Sequence, residues 1–308
     1  MALPPTVASS ARPSPPVRVA PASSVCVCVL ACGPVNYVRA ARRAVASVLA
    51  WSPFDVVVAL DPARRWRWPL DARVTVWPLP ADAASADRAR PFLRKFEALR
   101  GCLARTSADL VLLLDADAMV AAPMDAPALE TALAGHGLGM VEQTTIIGST
   151  MDRAAFLGHY VRHALAWFDP ALPVPTLAAF RYFNSGVVVG RRDALADVTA
   201  WALGAMAGAT RPHQVGAHMI ADQDYFQVWA NSLHPDSCTT LPWAWNHCEH
   251  WDAAFPREGA RILHFSNFCN GPTLRQVARM EAHLPPAAGA GRLAASLARR
   301  SWAAALRR

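Results

Sequence analysis

The chain has 308 residues, enough to bury one large core or two small ones. Hydrophobic residues make up 53% and charged residues only 17%, which marks a globular chain, and no run approaches the ~20 apolar residues of a membrane span. The formal net charge of +7 favours anionic partners such as nucleotide phosphates, while the lack of a long Lys/Arg tract argues against wrapping of nucleic acid.

Residues Met1 to Ser24 are rich in Pro, Ser and Ala. Six prolines in the first 21 residues preclude a helix, so a disordered tail is expected over 1–24. No acidic residue precedes Asp55, as in an organelle transit peptide, but the prolines oppose the amphipathic helix such a peptide uses. Ordered structure is expected from SVCVCVLAC, Ser24 to Cys32, a β-type run broken by Gly33 and Pro34. Tyr37 to Trp51 carries Val38, Ala41, Val45, Val48 and Leu49 at helical spacing. DVVVAL, Asp55 to Leu60, and the run Val74 to Leu79 read as the next two strands. Between them, RRWRW at Arg64 to Trp68 reads as a surface loop with snorkelling arginines. Arg90 to Thr106 is expected to be helical, with Phe92, Phe96, Leu99 and Leu103 on one side.

LVLLLDADAMV, Leu110 to Val120, then runs five apolar residues into Asp115 and Asp117. Such a run suits a strand buried on both faces, as in a parallel sheet. The order β-α-β-β-α-β indicates an α/β sheet of the nucleotide-binding kind. No GxGxxG follows the first strand and no GxxxxGK[ST] occurs, which excludes a dinucleotide fingerprint and a P-loop.

The second half is less regular. Leu138 to Gln143 reads as a strand, Asp152 to Trp167 as a helix, and Pro170 to Pro175 as a loop. In RYFNSGVVVGRR, an NSG turn is expected before a short strand Val187 to Val189. Asp193 to Met206 and Asp222 to Trp229 read as helices, the former with Asp193 at its N-terminus. RILHF, Arg261 to Phe265, is a last short strand. One folded domain is expected over 25–285, followed by a basic, Ala-rich amphipathic helix over 286–308. The seven cysteines have no framework spacing. Cys26 and Cys28 suit packed strand positions, and Cys32 lacks partners for a zinc pattern. A reducing, cytoplasmic location is expected, with the C-terminal helix able to hold the chain peripherally on an anionic membrane.

Ligands in open α/β sheets collect outside the carboxyl ends of strands. Two carboxylates placed there suit a hard cation such as Mg²⁺ or Mn²⁺ that bridges to phosphates. The simpler reading is a turn with two solvated Asp side chains. Three further pieces stand out: FNSG at 183–186, DQD at 222–224 and HF at 264–265. With DAD at 115–117, and in this order over about residues 25–280, they resemble glycosyltransferase family 8 and related enzymes of the GT-A fold. These include the glycogenins and bacterial lipooligosaccharide galactosyltransferases.

The resemblance implies a mixed, mostly parallel sheet flanked by helices. It implies transfer of a hexose from a nucleotide sugar, in this case a UDP-sugar, to a glycan, lipid or protein acceptor, with Mn²⁺ (or Mg²⁺) bound and the anomeric configuration retained. It gives Asp115, Asp117 and His264 as metal ligands, and an imidazole beside carboxylates favours Mn²⁺ over Mg²⁺. Without the other motifs, His264 reads as a core histidine. Asn184, Ser185 and Gly186 match positions facing the sugar, with Asn184, Asp222 and Gln223 in the catalytic group. Asp222 also suits a helix N-cap. Of Arg94 and Lys95, Arg94 matches the family's donor-contacting basic residue slightly better. Asn36 and Tyr37 match an Asn-Tyr pair beside the nucleotide. Two positions depart from the pattern. Cys32, Gly33 and Pro34 stand where the family has an acid that contacts uracil, and Asn270 stands where it has a diphosphate-binding Lys, a role Arg275 could take. Trp243, Trp245 and Trp251 are read as acceptor contacts, since flat indoles stack on sugar faces. His247 and His250 flank Cys248 and Glu249 without the spacing of a further metal site.

Two other readings stay open: a nucleotide-sugar-binding protein without activity, and a sugar nucleotidyltransferase on a related fold. The latter class shows a Gly-rich basic loop after the first strand, where this chain has ACGPVNYVRA.

Overall fold

The computed structural model describes residues 24–62, 68, 71–81, 90–143, 152–249, 257–266 and 272–285. The expected N-terminal tail, the RRWRW loop from Arg64 to Arg67, Trp251, Asn270 and the C-terminal helix lie outside them.

In chain order the strands are β1 (Val25–Ala31), β2 (Asp55–Leu60), β3 (Val74–Pro78), β4 (Leu110–Leu114), β5 (Ala118–Val120), β6 (Leu138–Glu142), β7 (Phe183–Arg191), β8 (Gln214–Val215), β9 (His218–Met219), β10 (Cys238–Leu241), β11 (His247–Cys248) and β12 (Ile262–His264). The helices are α1 (Val35–Trp51), α2 (Arg90–Leu103), α3 (Ala126–Leu133), α4 (Arg153–Tyr160), α5 (Arg192–Gly208), α6 (Asp222–Val228) and α7 (Leu274–Ala282). A π-helical turn, Val161–Leu165, continues α4, and another, Trp229–Leu233, continues α6.

Seven strands form the main sheet in the order β10-β6-β7-β4-β1-β2-β3. All pairings are parallel except those of β7, which runs against both β4 and β6. The expected fold class, a mixed and mostly parallel sheet flanked by helices, is therefore present. The apolar runs explain it. Along β4, Leu110, Leu112 and Leu114 pack with α1 residues Val38, Ala41, Val45 and Val48, while Val111 and Leu113 pack on the opposite face with Phe96 and Leu99 of α2. A strand with both alternating faces apolar is stable only between two helical layers. On α2 the buried stripe takes Leu93, and the expected Phe92 is half-buried.

β1 is the switch point of this sheet. The chain leaves it for β2 and β3 on one side and reaches β4 on the other. The carboxyl ends of β1 and β4 thus lie at the switch point, the place where open α/β sheets collect ligands. A second small sheet, β11-β12-β5, abuts it. The DAD segment is the turn between the two sheets, since β4 belongs to the large one and β5 to the small one. Among the described residues no helix is long and apolar enough to cross a membrane.

One expected turn is corrected. NSG lies inside β7, which runs unbroken from Phe183 to Arg191. The register against β6 jumps there: Met140 faces Val188, but Val141 faces Asn184. Residues 185–187 are a bulge on β7, and Asn184 Oδ1 accepts from Gly186 N at 2.9 Å, so a side chain closes the bulge locally.

Candidate metal and donor site

Sheet register brings the metal-type residues together. Asp115 follows β4 and Asp117 precedes β5. In the small sheet His264 of β12 lies opposite Ala118, and Phe265 N donates to Asp117 O at 2.9 Å. The ligand-type atoms of Asp115, Asp117 and His264 all lie within 4.8 Å of one another. His264 Nε2 is 3.4 Å from Asp117 Oδ1 and 3.9 Å from Asp115 Oδ2.

The imidazole is aimed by its other nitrogen. Nδ1 lies 2.9 Å from Asn246 Oδ1 and 3.5 Å from Cys248 Sγ. Asn246 is itself fixed, since its Nδ2 donates to Asn184 Oδ1 at 2.7 Å. An imidazole held by an amide oxygen on Nδ1 presents Nε2 to the carboxylates, the arrangement that orients metal-binding histidines. The donor set fits a divalent cation on these grounds. Gly186 completes the pocket: a Cβ there would sit 2.1 Å from His264 Cε1, so only glycine lets the bulge pass the ring.

A second group adjoins the first through Asp115. Lys95 Nζ lies 2.7 Å from Asp115 Oδ1, pairs with Asp222 Oδ2, and donates to Ser185 O at 3.2 Å. Ser185 Oγ donates to the same Asp222 oxygen at 2.8 Å, and Ser185 N lies 3.4 Å from Gln223 Oε1. Lys95 and Asp222 are buried, with side-chain exposures of 5% and 6%. Burial opposes charge on Lys95, Asp115, Asp117 and His264, and it prevails over the neighbours only at Asp115. For Lys95 the two carboxylates outweigh burial and raise its pKa. Burial raises the Asp115 carboxyl against the pull of Lys95. For Asp117, the His264 bond and charge outweigh burial and lower its pKa. For His264, Cys248 and Asp117 outweigh burial and hold it well above the ordinary imidazole range.

The structure therefore gathers Lys95, Asp115, Asp117, Asn184, Ser185, Gly186, Asp222, Gln223 and His264. Asp222 opens α6 but does not cap it. The N-cap is Ala221, whose N donates to Asp224 Oδ2 at 2.9 Å. Arg94 takes no part in the cluster. Its guanidinium bonds Pro80 O at 2.5 Å and Glu97 at 3.2 Å, and Cys32 Sγ lies 4.0 Å away. Asn36 and Tyr37 stand half-buried in the first turn of α1, just beyond the carboxyl end of β1. Arg275 is exposed in the first turn of α7.

Trp245 corrects an expectation. It is 5% exposed, belongs to the core, and has the Arg261 guanidinium 5.4 Å from its ring centre, so it offers no open face to an acceptor. It shares that core with Cys248 of β11 and with Ile262 and Leu263 of β12. Trp243 is half-buried at the edge of that core. Asn246 and Cys248 were not singled out by the sequence. They lie among tryptophans, and only the pairing of β11 with β12 places them beside His264.

No model of a known protein family matches the chain, and no curated protein matches its sequence. Solved structures do match in fold. One is the apo structure of WbbM, a bifunctional glycosyltransferase, at 15% identity and a TM-score of 0.48. The match covers 80% of this chain and 46% of that one, so the chain spans about half of that protein's length.

Proposed function

We propose that the chain is a glycosyltransferase that moves a hexose from a nucleotide sugar, a UDP-sugar, to a glycan, lipid or protein acceptor with retention at the anomeric carbon. The observation that carries this reading is the convergence of Asp115, Asp117 and an Asn246-oriented His264 beside the buried Lys95–Asp222–Ser185 group, at the carboxyl end of β4. Asp115, Asp117 and His264 would hold the divalent cation, Mn²⁺ or Mg²⁺. When bound, such a cation neutralises charge on a diphosphate and on the departing nucleotide.

The protein's own groups supply position and charge. Lys95 and Ser185 Oγ hold the Asp222 carboxylate in one orientation, and Lys95 fixes Asp115 at the same time. Gln223, on the same helical turn as Asp222, supplies an amide dipole at the bulge through Ser185 N. In this reading Asp222 and Gln223 face the anomeric carbon, where retention requires a nucleophile or a stabilising dipole. Asn36 and Tyr37 flank the nucleoside, with the Tyr37 ring available to stack on the base.

The test is UDP binding by calorimetry. UDP is expected to bind with Mn²⁺ present, to lose at least tenfold in affinity in chelator, and to lose as much in Asp117→Asn. Equal affinity in all three conditions would remove the cation site from the reading. A second reading, a nucleotide-sugar-binding protein without activity, draws on Asn270 standing where the resembled family has a Lys. Turnover separates the two.

A further inference from the structure

Three histidines outside this site pack ring against ring. His159 lies in the last turn of α4, His163 in the π-helical turn that follows, and His218 in β9. Their ring centres are 4.5 Å (His159–His163), 4.6 Å (His159–His218) and 4.9 Å (His163–His218) apart. His159 and His163 share a helix face at a spacing of four residues. His218 is delivered by the β8–β9 ribbon, which turns at Gly216 with φ of +57°.

On one of the rings a nitrogen is held: His218 Nε2 faces Asp224 Oδ1 at 3.0 Å. His163 Nδ1 is buried and has no hydrogen-bond partner among the described residues. A carboxylate or carbonyl on one ring nitrogen, with the other left over, is the arrangement of a metal-binding histidine. Burial and the neighbouring imidazoles lower His159 to about 4, and burial and His218 also lower His163. Asp224 opposes and Arg162 adds to both shifts. Both rings are therefore neutral near pH 7, the form that ligates a cation.

Zn–N bonds of about 2.0–2.1 Å at tetrahedral angles set the ring centres of three zinc-bound imidazoles roughly 5 Å apart. The observed separations fall up to about half an ångström short of that, and the ring nitrogens are not gathered as closely as the ligand atoms of Asp115, Asp117 and His264. The ring planes stand at 49°, 89° and 41° to one another, so rotation about the Cβ–Cγ bonds is the adjustment that binding requires.

We propose that His159, His163 and His218 form a second cation site, for a borderline transition ion such as Zn²⁺, with its fourth position open to water. Three imidazoles suit such an ion, whereas the carboxylate-rich pocket at Asp115 and Asp117 suits a harder one. The site stands independently of the proposed transferase activity. It also touches that machinery: one Asp224 oxygen holds His218, and the other accepts from Ala221 N at the start of α6, which carries Asp222 and Gln223. A bound ion would clip α4, the β8–β9 ribbon and the first turn of α6 together.

The experiment uses the untagged full chain, stripped with chelator, carrying Asp115→Asn and Asp117→Asn so that the first site is disabled. Titration with Zn²⁺ is expected to show one equivalent bound, with a rise in Tm. Co²⁺ in its place is expected to give the visible absorption of a four-coordinate ion. Adding His163→Gln is expected to lower Zn²⁺ affinity at least tenfold. The half-buried His159→Gln provides the same comparison should the first substitution impair folding, as judged by near-UV circular dichroism. No zinc bound by the Asp-substituted chain, or the same affinity in a folded histidine variant, would overturn the proposal.

Discussion

Lys95 and Arg94 are neighbours on one helix with opposite surroundings. Lys95 bridges Asp115 and Asp222, while Arg94 bonds Pro80 O and Glu97. Lys95→Ala leaves the buried Asp222 carboxylate without its cation, and loss of one partner of a buried pair costs about 3–5 kcal/mol. Urea denaturation is expected to record that loss, together with weakened UDP binding. Arg94→Ala is expected to leave UDP affinity unchanged. Asn246 makes a separate case, because it touches the imidazole and not the cation. Removing an outer partner of this kind typically costs 10–100-fold in metal affinity. Asn246→Ala is expected to weaken Mn²⁺ within about that range in a titration, and an unchanged affinity in a folded variant would deny it the orienting role. Asp115, Asp117 and His264 were legible in the sequence because motif order alone marks them. The choice between Arg94 and Lys95 was not. Adjacent helical residues point about 100° apart, and the phase of α2 is set by which stripe packs on the sheet.

Among the elements, the continuous apolar runs of β1, β2 and β4 were readable because both faces of each strand are buried. The bulge in β7 was not, because it arises from register against β6, a strand some forty residues away in sequence. β11 has two residues and β5 three, too short for periodicity to register. Their pairing with β12 nonetheless decides where His264 sits. Trp245 shares the buried core with Ile262 and Leu263 of that small sheet. Trp245→Ala is expected to destabilise the protein by about 3–5 kcal/mol, as for other large core truncations. Trp243→Ala, at the half-buried edge, is expected to cost less. Equal small losses in urea denaturation would return Trp245 to the surface and reopen an acceptor role.

At the scale of the whole molecule, the sequence beyond Ala290 carries Arg292, Arg299, Arg300, Arg307 and Arg308 with Leu293, Leu297, Trp302 and Leu306, and no acid. Each basic residue near an anionic surface contributes about 1 kcal/mol, so five would hold the chain on such a membrane at low salt. Co-sedimentation with anionic vesicles is expected to pellet the full chain and leave a truncation at Ala290 in the supernatant, while equal pelleting would assign the anchor elsewhere. The glycosyltransferase reading itself is tested most directly by turnover. A panel of UDP-, GDP- and ADP-sugars, each with Mn²⁺ and scored by nucleotide release, is expected to give release from a UDP-sugar that chelator and Asp117→Asn both abolish. No release from any sugar nucleotide, or release that persists at full rate in chelator and in Asp117→Asn, would contradict it.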